Sequence, residues 1–174
     1  MVIYRSIADT ALLHVRGTIR LIMPTLELEV RVDAPRDVVY EIAKDVESFP
    51  SFMPDVESIV VLERSPDGSR TLTKWVGLIP EFRQKIRWTE EDLWNNADYT
   101  CDFRQTEGEY HEYSGEWQFE EREAGTTMFR STLTYEIEIP LIGPLLTRVI
   151  AKKMRDNTEK VLNAIKSRAE ARGR

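Results

Sequence analysis

One cysteine, Cys101, and two histidines, His14 and His111, are all that the 174 residues offer in soft or imidazole ligands. A lone thiol excludes an intrachain disulfide and any thiolate cluster for zinc. Two histidines exclude a His-rich metal centre, although carboxylate sites stay open. No metal or cofactor is expected, and the cysteine usage predicts a reducing, cytoplasmic setting. Glycine and proline, eight of each, are too scarce for a low-complexity or collagen-like chain. No segment approaches the roughly 18 apolar residues that a membrane span needs. The nearest, Ala11–Met23, is interrupted by His14, Arg16 and Arg20, and it lacks the apolar stretch and small-residue cleavage site of a signal peptide.

What is present describes one ordinary soluble domain, 41% hydrophobic and 31% charged, with a length that leaves no room for two full-sized cores. The net charge of −6 argues against nucleic acid as a partner. It hides an asymmetry: residues 148–174 carry nine Lys/Arg against three acids, or +6, so the remainder carries −12. A basic tail on an acidic body could meet an anionic lipid surface or a protein through Lys152, Lys153 and Arg155. The plainer reading is a solvated helix face. Met23-Pro24 reads as an alternative start, which makes 1–24 an N-terminal extension ahead of a domain over 25–172.

Leu26, Leu28, Val30 and Val32 alternate with Glu27, Glu29, Arg31 and Asp33, the two-residue period of a half-buried strand. Pro35 suits the first turn of a helix, with Asp33 as a capping candidate. Val38, Val39, Ile42, Ala43 and Val46 recur at helical spacing, so a short helix is predicted over 35–46. Pro50 and Pro54 bracket Ser51-Phe52-Met53 as a second helical turn or loop. From Val56 to Ile139 the pattern is almost entirely strand: Ser58–Glu63, Arg70–Ile79, Phe82–Trp88, Tyr99–Thr106, Tyr113–Arg122 and Thr126–Ile139. Short turns join them, and Trp94–Asp98 reads as one of these turns. With the first strand this makes about seven, in an antiparallel meander. After Pro140, Ile142, Leu145, Leu146, Val149, Ile150, Met154, Val161, Leu162 and Ile165 form an apolar stripe along a long helix, roughly 141–170.

The fold class is therefore α+β: a curved antiparallel sheet wrapped around a long C-terminal helix, with two short helices after the first strand. Consecutive antiparallel strands twist and coil until one face is concave. A single helix lying in that face leaves space along part of its length. Alternation assigns the lining: Trp75 and Gly77; Phe82, Ile86 and Trp88; Cys101 and Phe103; Tyr113, Gly115, Trp117 and Phe119; Phe129, Ser131, Leu133, Tyr135, Ile137 and Ile139. The residues expected to touch a ligand are Phe52, Met53, Trp75, Trp88, Phe103, Tyr113, Trp117, Phe119, Phe129, Ser131, Tyr135, Val149 and Met154. Such a surface suits a mostly apolar molecule oriented by few polar contacts. The competing reading is that the aromatics pack one another and leave no void.

Catalytic signals are weak. No phosphate-binding glycine loop, nucleophile elbow or histidine metal pair occurs. Cys101 is expected to be buried and inert, and His111 to sit on the surface near a loop. Glu90-Glu91-Asp92 reads as a solvated acidic run. No catalytic residue can be named.

The stretch from Ala34-Pro35 to Asp45-Val46-Glu47-Ser48-Phe49-Pro50-Ser51-Phe52-Met53-Pro54, with the later Tyr113-Ser114-Gly115-Glu116-Trp117-Gln118-Phe119, resembles the polyketide cyclase/dehydrase and lipid-transport family. That family belongs to the START-like, helix-grip (SRPBCC) superfamily, beside coenzyme Q-binding proteins and aromatase/cyclases. The resemblance covers about Thr25–Arg172. It implies a hydrophobic tunnel under the C-terminal helix holding a lipid, quinone or polyketide-like molecule. It also implies that Asp45, Pro50 and Pro54 shape the tunnel mouth, while Gly115, Trp117 and Phe119 line its wall. Quinone-binding relatives usually follow the second proline with Trp and Cys. Asp55 and Val56 stand there in this chain, which weakens the quinone reading. The expected function is binding or carriage of a hydrophobic small molecule. The alternatives are a cyclase, aromatase or dehydratase acting in the same cavity, and a protein-interaction module using the basic helix.

Overall fold

The computed structural model describes residues 2–5, 25–53, 55–79, 84–108, 112–136 and 144–172. Eight strands form one antiparallel sheet: β1 (Val2–Arg5), β2 (Thr25–Val32), β3 (Val56–Arg64), β4 (Arg70–Ile79), β5 (Gln84–Asn95), β6 (Thr100–Gly108), β7 (Glu112–Arg122) and β8 (Thr126–Glu136). Their order across the sheet is β1-β2-β8-β7-β6-β5-β4-β3. The hairpins from β3 to β8 form the expected meander, and β2 closes beside β8 with Leu28 opposite Ser131 and Val30 opposite Phe129. One strand is added to the expected set. Val2–Arg5, inside the segment taken as an extension, pairs with β2 at the sheet edge.

Between β2 and β3 lie α1 (Arg36–Lys44) and a 3-10 segment, Val46–Ser51, which contains Pro50. Asp33 does not cap α1. Pro35 occupies the cap position without a side-chain bond, and Asp33 instead pairs with Arg31 while its backbone N–H donates to Glu170. After β8, α2 (Pro144–Arg172) runs 29 residues across the concave face. It packs against β2, β8 and α1. β5 extends through Asn95, so Trp94 belongs to a strand, and the turn is confined to the residues before Thr100. Register shifts at Val56/Ser58, Val61/Glu63 and Thr89/Glu90 mark bulges, which bend strands and increase their twist.

Why the sheet closes at one end is visible in side chains. Leu26, Leu28, Val30 and Val32 of β2 and Val39, Tyr40, Ile42 and Ala43 of α1 are buried, and Leu162, Ile165 and Ala169 of α2 are fully so. Phe119 stacks on Phe129 with centroids 4.6 Å apart. Tyr40 meets Trp94, Tyr99 and Phe119 edge-on, and its hydroxyl donates to Asn96. This end is a solid core in which α1 fills the space between helix and sheet. Toward β4 the sheet is covered by the short 3-10 segment, whose buried Phe49 meets Trp75 edge-on at 6.1 Å.

Candidate functional site

A cavity of about 470 Å³ opens between α2 and the part of the sheet that α1 does not cover. Each wall follows from a local pattern. Alternation on β4 through β8 turns Trp75, Gly77, Ile86, Trp88, Phe103, Tyr113, Trp117, Ser131 and Leu133 toward it. The 3-10 segment, broken from α1 at Asp45, contributes Val46 and Phe49, and Phe52 and Met53 follow. α2 lays Met154, Val161 and Ala164 over the top, with Asn157, Thr158, Asn163 and Ser167 beside them.

The indole N–H groups are satisfied inside the walls. Trp75 Nε1 donates to Thr73 Oγ1 at 2.8 Å, and Trp117 Nε1 donates to Ser131 Oγ at 3.1 Å. The rings of Trp75 and Trp88 stack at 5.3 Å. Flat apolar surface therefore faces the void. At the rim, Lys160 of α2 pairs with Asp55, and Arg168 lies over the Phe52 ring and near Asp45.

Of the residues expected to touch a ligand, Phe52, Met53, Trp75, Trp88, Phe103, Tyr113, Trp117, Ser131 and Met154 come together around this space. Phe119, Phe129 and Tyr135 face the same side but do not reach it. Phe119 and Phe129 are locked in the solid end, and all three are buried in the core. Phe129 backs the lining, edge-on to Trp117 at 5.6 Å. Val149, Phe82, His111 and Pro54 lie outside the residues whose side chains are described. Cys101 is buried, and burial, reinforced by nearby Asp92 and Glu90, pushes its thiol far above the ordinary range.

The acidic run is the main correction. Glu90, Glu91 and Asp92 are all buried, not solvated. Glu91 points to the convex face, where Arg70 Nε reaches it at 2.7 Å and Arg104 Nη2 at 2.6 Å. These bonds hold its carboxyl below the usual range. Glu90 and Asp92 instead line the cavity. Burial is the first cause that raises both: Glu90 is pushed up to about 7 despite a bond from Trp88 Nε1, and Asp92 well above its ordinary value. The two carboxyls are near enough that the charge of Glu90 adds to the rise of Asp92. Asp92 Oδ2 is buried with no hydrogen-bond partner. The signal for this pair was the parity of Ile86 and Trp88, which continues unbroken through Glu90, Asp92 and Trp94.

Lys152 of the basic helix pairs with Asp156 one turn on at 2.7 Å, and Lys166 with Glu170, so part of the helix charge is answered internally. Among the described residues, no cluster of three His, Cys, Asp or Glu could hold a metal ion, and no helix is long and apolar enough to cross a membrane.

A family profile described as polyketide cyclase / dehydrase and lipid transport matches residues 32–162. Among solved structures, TTHA0849 from Thermus thermophilus is 34% identical, with a TM-score of 0.79 over 87% of this chain and 100% of its own. The Zhui aromatase/cyclase from Streptomyces sp. R1128 is 23% identical, with a TM-score of 0.78 over 87% of this chain and 96% of its own. A START superfamily protein from Mycobacterium smegmatis is 18% identical, with a TM-score of 0.69 over 84% and 97%. The last two share the fold alone. Comparison with curated proteins found no match.

Proposed function

The chain belongs to the polyketide cyclase/dehydrase and lipid-transport family, and from that premise we propose that it binds one hydrophobic small molecule, lipid-like or polycyclic, between α2 and the sheet. The observation that carries this reading is the cavity of about 470 Å³ walled by tryptophan, phenylalanine and methionine. Its size falls within the range of small-molecule sites, roughly 300–1,000 Å³. Stacked and edge-on indoles favour flat, ring-bearing ligands, and burial of their apolar area supplies the affinity.

A second reading, cyclisation or dehydration of such a molecule, is favoured by one observation. Glu90 and Asp92 stand together on the cavity wall, and burial raises both carboxyls toward the range in which a carboxyl can give and take a proton near neutral pH. The Zhui aromatase/cyclase shares the fold. Binding is the reading common to both.

Ala164 lies on the cavity face of α2, and a phenyl ring there would occupy the void. Titration with the neutral fluorophore N-phenyl-1-naphthylamine is expected to saturate at one molecule per chain. In Ala164→Phe the affinity should fall at least tenfold while near-ultraviolet circular dichroism is retained. Unchanged affinity in the folded variant would contradict the proposal.

A further inference from the structure

We infer that Glu90 and Asp92 form a receptor for the protonated nitrogen of an amine, so that the molecule taken up is an amphiphilic amine with its apolar body in the aromatic part of the cavity. This rests on the binding reading and names the ligand class.

The two acidic faces of β5 differ in their counter-charge. The sheet supplies Glu91, on one face of β5, with two guanidinium groups. Among the described residues it supplies none to Glu90 or Asp92, on the other face of the same strand. Buried carboxylates are paired with cations or lose their charge, and burial raises both of these toward the neutral form. β4 offers Trp75 and Thr73, whose hydroxyl is engaged with the Glu90 carbonyl and the Trp75 indole. β5 offers the single N–H donor of Trp88. β6 presents the Cys101 thiol, whose nearby Asp92 and Glu90 push it further toward its neutral form. On α2 the cavity-lining cation is Lys160, which is already joined to Asp55.

Independently of the pairing, one atom lacks a donor. Asp92 is 3% exposed, it lines the cavity, and its Oδ2 has no hydrogen-bond partner. An ammonium carries three N–H donors and a full positive charge. Seated at the pair, it would donate to Asp92 Oδ2 and to Glu90, and a carboxyl that was neutral before binding would lose its proton to solvent. No bond is made or broken other than that O–H. The Trp88 ring, adjacent to Glu90 and stacked on Trp75, adds a π face, which attracts a desolvated cation. A neutral alcohol of the same shape satisfies neither the charge nor more than one acceptor.

The probes are 1-naphthylmethylamine and its near-isostere 1-naphthylmethanol, titrated calorimetrically into the whole protein near neutral pH. The amine is expected to bind at least tenfold more tightly than the alcohol. Its enthalpy should vary between buffers of different ionisation heat, which reports the released proton. In the Glu90→Gln/Asp92→Asn double variant the amine-to-alcohol affinity ratio should fall to near one. Because the comparison of the two probes needs no variant, it stands even if that variant folds poorly. Equal binding of the two probes by the natural protein would overturn the inference and leave the binding reading intact, as would a preference for the amine that persists in the folded double variant. Failure of both probes and of N-phenyl-1-naphthylamine to bind would remove the binding reading with it.

Discussion

Replacing Gly115 with alanine is expected to destabilise the protein by about 3 kcal/mol, at the upper end of what one overpacked methyl does. The position is in mid-strand β7, opposite Leu133 of β8 and Phe103 of β6. A Cβ there would lie 2.0 Å from the Thr132 carbonyl oxygen and 2.5 Å from the Phe103 ring. The ring could turn, but the carbonyl belongs to the neighbouring strand and moves only if the β7–β8 ladder opens. For a domain of this length the loss corresponds to a fall in Tm on the order of 10 °C. Thermal unfolding of Gly115→Ala measures it, and a change below about 2 °C would contradict the packing described. The glycine thus lets two strands and an aromatic wall residue meet closely, which is what brings Phe103 and Trp117 side by side at 5.8 Å.

Stability is expected to fall as the pH rises from about 4.5 to above 7, the reverse of the usual behaviour of carboxylates bound in ion pairs. Glu90, held by burial near 7 instead of its ordinary 4.5, keeps its proton in the folded chain over a range where the unfolded chain has lost it. The folded state therefore binds more protons, so unfolding free energy decreases with pH across that window. The loss attributable to Glu90 is roughly 3 kcal/mol once the pH exceeds its folded value, and Asp92, raised for the same reason, acts in the same direction. Below about pH 4.5 the sign reverses, because Glu91 and Asp156 are held low by their cation partners and lose those partners' stabilisation on protonation. Urea unfolding at about pH 5 and pH 8 should show the lower stability at pH 8, and Glu90→Gln should remove most of the difference. A pH-independent free energy would show that the carboxyl pair is not buried as described.

How much of this was legible in the sequence depends on which physical rule was being read. The two-residue period of Leu26–Val32 and Tyr113–Phe119 reports the face of each strand reliably, because one register slip would expose every apolar side chain. It does not report position along the helix. Phe119 and Phe129 face inward as expected, yet they sit where α1 and Tyr40 fill the space, and that placement arises from β2 closing on β8, about a hundred residues away. Trp94 and the acidic run were misread because residue type outweighed parity. Asn95 and Asn96 suggested a turn, and three adjacent acids suggested solvent. The arginines that make Glu91 tolerable come from β4 and β6, so no local pattern announces them. Glu90 and Asp92 have no such partners, and only the unbroken alternation from Ile86 to Trp94 pointed to the cavity. Val2–Arg5 carries too few residues for a period to be read, and its strand exists through pairing with Val30, Glu29, Leu28 and Glu27.

Methyl resonances of methionine offer the most direct test that the space under α2 is a binding site. Met53 and Met154 line the cavity from different elements, the segment after the 3-10 turn and the long helix, while Met128 lies on β8 away from the cavity lining. In protein labelled with 13C at methionine methyls, adding N-phenyl-1-naphthylamine should move the Met53 and Met154 signals together, saturating at one equivalent, and leave Met128 in place. If the fluorophore binds while Met53 and Met154 stay still, or while Met128 moves as far as they do, the ligand lies elsewhere and the account fails.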